Sequence, residues 1–136
     1  MFFKKEEIKN NNFLTKVCAL LIHAAKIDEN YTNKEEEIIK KTLKELDVED
    51  ENISKTIEDA KIIEENSNQI LEFTREVKNL PEQSKIKIVE ALWSIIYSNN
   101  EADIYETNLM RRLAGLLYID NKTMGDIKEK IKQNSK

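Results

Sequence analysis

Glycine, proline, cysteine and histidine are almost missing from this chain of 136 residues, with two Gly, one Pro, one Cys and one His. Sheet turns and tight loops consume Gly and Pro, so their scarcity argues for helices joined by short polar connections. A single cysteine, Cys18, excludes an intrachain disulfide and fits a reducing compartment. Without a second histidine there is no ordinary zinc set. Cys18 and His23 lie five positions apart, on different sides of a helix, so they cannot pair as nucleophile and base. No Gly-rich phosphate loop is present. The longest apolar run, Val17 to Ala25, contains His23 and falls far short of the roughly 20 residues that span a bilayer. The opening MFFKKEEIK lacks the apolar core and small-residue cleavage site of a signal peptide. The expectation is a soluble, cytoplasmic protein with no direct membrane insertion, Phe2 and Phe3 folding back on the core.

What remains is rich in charge: 35% charged and 40% apolar residues, as amphipathic helices require. Residues 28–66 hold 14 acids against 6 bases, while the rest of the chain is basic on balance. An acidic stretch of this kind disfavours nucleic acid as a partner and suits solvated helix faces, cations or a basic protein surface.

Apolar spacing predicts a bundle of about six to seven helices in one domain, residues 1–136. A long helix runs from about Asn12 to Ile27, apolar on most sides and therefore central, with Asn10 to Asn12 separating it from a short leading helix. The second begins near Asn33 with Ile38, Ile39, Leu43 and Leu46 inward. The third carries Ile53, Ile57, Ala60 and either Ile62 or Ile63. Asn66 or Ser67 caps the fourth, which holds Ile70, Phe73, Val77 and Leu80 on one face. Pro81 sits in the first turn of the fifth, a second central helix holding Trp93. The sixth presents Leu109, Met110, Leu113, Leu116 and Leu117, and a weak seventh presents Met124, Ile127 and Ile131. At an offset of 71 residues the pattern recurs: Leu21 with Leu92, Glu35 with Glu106, Leu46 with Leu117. We read this as a divergent internal duplication with approximate two-fold symmetry, its halves about 13–48 and 84–119.

Each half contains a polar turn. Asp28, Asn30, Thr32, Glu35 and Glu36 cluster at the first, and Asn99, Glu101, Asp103 and Glu106 at the second. Crowded oxygen ligands suit a hard cation such as Ca²⁺ or Mg²⁺. The first turn opens like an EF-hand loop, but Asn33 stands where glycine is needed and Ile39 where a bidentate acid is needed, which rules that motif out. Helix capping explains part of the pattern without a ligand. Thr32 to Glu35 is a capping box and Asp103 to Glu106 its acidic variant. Asp28 is left over: a carboxylate at a helix C-terminus opposes the macrodipole and calls for a partner. Asp28, Glu35, Asn30, Glu106 and Asn99 are the candidate metal ligands. No cofactor is required, and a divalent cation is the candidate.

These residues resemble the TerB-like family, the tellurite-resistance domain that is also similar to the N-terminal region of DjlA co-chaperones. The family pattern is A-D-G-x-[IL]-x-x-x-E-x between two helices, once per half. Here it reads Lys26-Ile27-Asp28-Glu29-Asn30-Tyr31 through Glu35, and Ser98-Asn99-Asn100 through Glu106, followed by Leu109-Met110-Arg111-Arg112-Leu113-Ala114. Ile70 to Thr74 looks like the family's middle helix. Glu29 and Asn100 replace the expected glycine, and Asn99 replaces the second aspartate. A cation held by paired Asp and Glu would find Asp28 and Glu35 intact and the Asn99–Glu106 turn weakened. The resemblance covers about Phe13 to Ile119. It implies an all-α bundle, a bacterial cytoplasmic setting, a link to tellurite or general stress response, and no defined reaction. Action through a protein partner, at a membrane-associated complex, is the expectation that follows.

Overall fold

A computed structural model describes residues 2–26, 33–66, 71–78, 80–98 and 104–134, with side chains from residue 13 onward except 76, 104–106 and 134. Within them the chain forms seven helices and no strand: α1 (Phe2–Lys26), α2 (Asn33–Glu45), α3 (Asp50–Glu65), α4 (Leu71–Val77), α5 (Glu82–Tyr97), α6 (Ile104–Leu116) and α7 (Asn121–Asn134). The expected all-α bundle is what forms.

Hydrophobic burial centres on α1 and α5. Val17 through Ile22 are all sealed from solvent, as are Ile88, Val89, Leu92 and Ile96. A helix apolar on most sides has no face to offer water, so both must be covered all round. Accordingly α1 packs on α2, α3, α4 and α5, while α5 packs on α1, α2 and α7. Phe73, Val77, Leu113, Met124 and Ile127 reach the same core from the outer helices. The buried hydroxyls of Thr42 and Thr56 donate to the carbonyls of Ile38 and Asn52, 2.9 and 2.8 Å away, so neither is left unpaired.

Three local expectations are corrected and one open alternative is decided. The Asn10–Asn12 run does not break α1, which continues from Phe2. Asparagine is a poor helix former, at up to about 0.7 kcal/mol per residue, but it keeps its N–H and does not clash as proline does. Asn66 is the C-cap of α3 rather than the N-cap of α4. Pro81 stands at the N-cap of α5, just outside the helix, and its carbonyl accepts from the N–H groups of Ser84 and Lys85. Of the two adjacent isoleucines, Ile63 packs on the core and Ile62 is 59% exposed. Ser67 and Ile70 lie outside the described residues, as do the side chains of Phe2 and Phe3.

The repeat is written in the backbone. Helix ends Glu45 and Leu116, and starts Asp50 and Asn121, stand 71 residues apart. The stops of α2 and α6 match bond for bond. Val48 N–H reaches Leu43 O and Asp47 N–H reaches Lys44 O, at 2.9 and 3.0 Å; Ile119 N–H reaches Ala114 O and Tyr118 N–H reaches Gly115 O, at 2.9 and 3.3 Å. This is a Schellman stop, with the residue after the cap in the left-handed region. That residue is Asp47 at φ 71° in one half and Tyr118 at φ 56° in the other, where glycine is the usual choice.

Candidate functional site

The flanks of the two polar turns meet at one end of the bundle. Helix α2 runs antiparallel along α5, because contacts join opposite ends of the two helices. Lys34 Nζ donates to Ser98 O at 3.5 Å, and Lys87 Nζ donates to Glu45 O at 3.3 Å. The start of α2, which follows the first turn, therefore lies beside the end of α5, which precedes the second. The Lys34 ammonium faces the negative end of the α5 dipole, and the Ser98 hydroxyl donates to Ile95 O at 2.6 Å.

Of the predicted ligands, Glu35 is the one whose side chain is described. It occupies the first turn of α2 and is 1% exposed. A carboxylate so deep must be engaged by donors, and Glu35 does have an interaction partner. Its neighbour Glu36 is half-buried and lies 3.5 Å from Lys61 of α3. Asp28, Asn30 and Asn99 lie outside the described residues, and so do Thr32, Glu101 and Asp103. Glu106 stands in the first turn of α6, its side chain outside those described. Among the described residues no group of three or more His, Cys, Asp or Glu side chains could hold a metal ion.

Two reactive residue types occupy quiet positions. Cys18 is buried in the core, and desolvation pushes its thiol up to about 12, with Lys61 opposing that shift and Glu36 adding to it. The thiolate is thus suppressed at neutral pH. His23 is half-buried with Nδ1 3.5 Å from Glu64 Oε1, and Lys26 Nζ donates to Glu64 Oε2 at 2.9 Å. Glu64 thereby ties the end of α1 to α3.

A family model described as Tellurite resistance protein TerB matches residues 14–129. The chain belongs to the TerB family. Neither the curated proteins nor the solved structures searched contain a match. The TerB match runs beyond Ile119 into α7, in keeping with a backbone repeat that also includes the starts of α3 and α7. Membership links the protein to tellurite resistance at family level. None of its described helices is long and apolar enough to cross a membrane.

Sequence reasoning passed over Tyr118. Its ring is 69% exposed, with Lys78 Nζ and Lys85 Nζ 5.8 and 5.9 Å from the ring centre. The signal was one step past the last matched pair, Leu46 with Leu117: the next pair is Asp47 with Tyr118, a turn-former replaced by an aromatic. Asp120 was also missed. It caps α7, accepting from Thr123 N–H at 2.8 Å, and hydrogen bonds from the Thr123 hydroxyl and then from its N–H lower its pKa.

Proposed function

We propose that this TerB-family protein acts without catalysis, in a tellurite or stress response in the bacterial cytoplasm, by binding a partner protein within a membrane-associated complex. Tyr118 carries the reading. A left-handed backbone costs a bulky residue roughly 1–2 kcal/mol, and an exposed ring returns little of that through core packing. Beyond the Lys78 and Lys85 ammonium groups near its ring, most of Tyr118 stays open to solvent, and a strained, open aromatic suits a contact made outside the chain. Nucleic acid is disfavoured as that partner by the acidic stretch 28–66. The test is a pull-down from the native host with wild type and Tyr118→Gly. Wild type should retain a specific partner, and the variant should retain markedly less while melting at the same temperature or higher. Recovery of no specific partner by the wild type defeats the proposal.

A second reading is a divalent-cation site at the joined flanks of the turns, using Asp28 and Glu35 with Asn30, Asn99 and Glu106. The burial of Glu35 beside the α5 terminus favours it. Calorimetry with Ca²⁺, Mg²⁺ and Zn²⁺ on wild type and Asp28→Ala tests it. Binding heat in the wild type, lost in the variant, is expected, and an absence of heat in the wild type ends it.

A further inference from the structure

A groove opens between α5, α6 and α7, lined by Trp93 from α5, Met110, Arg111 and Ala114 from α6, and Met124, Gly125 and Lys128 from α7, among others. Its volume is about 180 Å³, below the roughly 300–1,000 Å³ of small-ligand pockets. That is room for one large side chain. The floor is apolar, and both charged residues of the lining are cations. Lys128 Nζ stands 5.5 Å from the centre of the Trp93 ring. In a chain of net charge −4 this wall of the groove is locally basic.

Two further features lack an explanation within the chain. Gly125 sits inside α7, where glycine is a poorer choice than alanine, yet a Cβ there would meet nothing within 4 Å. Neither backbone conformation nor internal packing demands it. Trp93 is 4% exposed, and its indole N–H is a buried donor with no hydrogen-bond partner among the described residues. A notch left open in a helix wall and a donor without an acceptor both fit a surface completed by another molecule.

We infer that this groove is the anchor point for an acidic segment of a partner protein, which places one large apolar side chain against Trp93, Met110 and Met124 and carboxylates against Arg111 and Lys128. The size selects a side chain over a free ligand, and the charge selects an acidic neighbour. Tyr118 lies in the α6–α7 connection, between Ala114 and Asn121 of the lining in sequence. The inference rests on the partner-binding reading.

Trp93 is the sole tryptophan, so its indole N–H gives one resolved amide-type NMR signal. The probe is a synthetic acidic helical peptide with one central leucine, and its twin with alanine there. The leucine peptide should shift the indole signal saturably and bind about tenfold tighter than the twin. Arg111→Glu with Lys128→Gln, and separately Gly125→Met, should each weaken it by about tenfold. Gly125→Met fills the notch and should melt no lower than wild type, which separates occlusion from misfolding. No saturable shift up to ~1 mM peptide, equal binding of the twin, or indifference to both variants overturns the inference. A native partner retained equally by wild type and groove variants also overturns it, and leaves the partner-binding reading standing.

Discussion

The two halves of this molecule share a backbone and differ in what they do with its surface. In the first, charge fastens the helices: Glu64 holds Lys26 and His23, Lys61 holds Glu36, and Lys44 lies 3.6 Å from Asp50. In the second, aromatic and apolar groups take over. Trp93 stacks on Tyr97 with ring centres 5.9 Å apart, Tyr118 occupies the place of Asp47, and the α5–α7 face opens into the groove. A duplicated frame needs only its helix ends and inward residues to match, so the remaining positions were free to diverge. Both halves keep a surface groove, but that between α2 and α3 is lined mostly by charged residues such as Glu37, Lys40, Lys41, Lys44 and Asp50, whereas that of the second half has an apolar floor that suits recognition.

The sharpest way to break the comparison is at the shared core. Leu21→Ala and Leu92→Ala remove equivalent, fully buried side chains and should each cost about 2–5 kcal/mol by urea unfolding. A clear gap between them would show that one half is packed less tightly. Next in size, Glu35→Gln should destabilise by about 1–3 kcal/mol, because a buried acceptor network is disturbed. A negligible change would mean that the neutral amide serves the partners of Glu35 as well as the carboxylate does.

The helix stops come third. Tyr118→Gly should raise stability by at most about 1 kcal/mol, through relief of left-handed strain less the entropy that glycine adds to the unfolded chain and the lost contacts of Lys78 and Lys85 with the ring. Asp47→Gly should change it by only a few tenths, since Asp tolerates that region better. Thermal melts of the two variants measure the contrast.

The smallest effect concerns the starts of α3 and α7. Asp120 caps α7, whereas the equivalent Glu49 makes no side-chain cap bond to α3. The folded pKa of Asp120 lies below its ordinary 3.8. Its stabilising contribution is therefore present above that value and fades as pH falls through the folded pKa. Asp120→Ala should lower the melting temperature at neutral pH and converge with wild type in acid. Glu49→Ala should show no such convergence, having no cap to lose.

Much of the fold was legible because burial follows period. Leu21, Ile39, Leu43, Phe73, Val77, Leu92, Met110 and Leu113 sit inside, as helical spacing requires. The Asn10–Asn12 break was misread because low propensity was weighed as a stop signal, whereas no proline, glycine or cap geometry enforces one there. The candidate site was legible in composition, as two polar turns carrying acids. Glu35 does stand in the first turn of α2, while Asp28, Asn30 and Asn99 fall outside the described residues. The meeting of the two turn flanks could not be read from the chain, because nothing local encodes which ends of α2 and α5 lie together.

The sequence alone determined the helical class, the central pair of apolar helices, the 71-residue repeat and the TerB resemblance. Those depend on periodicity, capping chemistry and composition, which are local. Tertiary structure alone decided that Lys34 meets Ser98, that Glu35 is sealed from water, that Tyr118 takes a left-handed backbone in the open, and that Trp93 lines a groove with its indole N–H buried. Each is a relation between residues from different helices, or a backbone state imposed by where two helices must join. Packing geometry sets such relations, and no single stretch of sequence contains it.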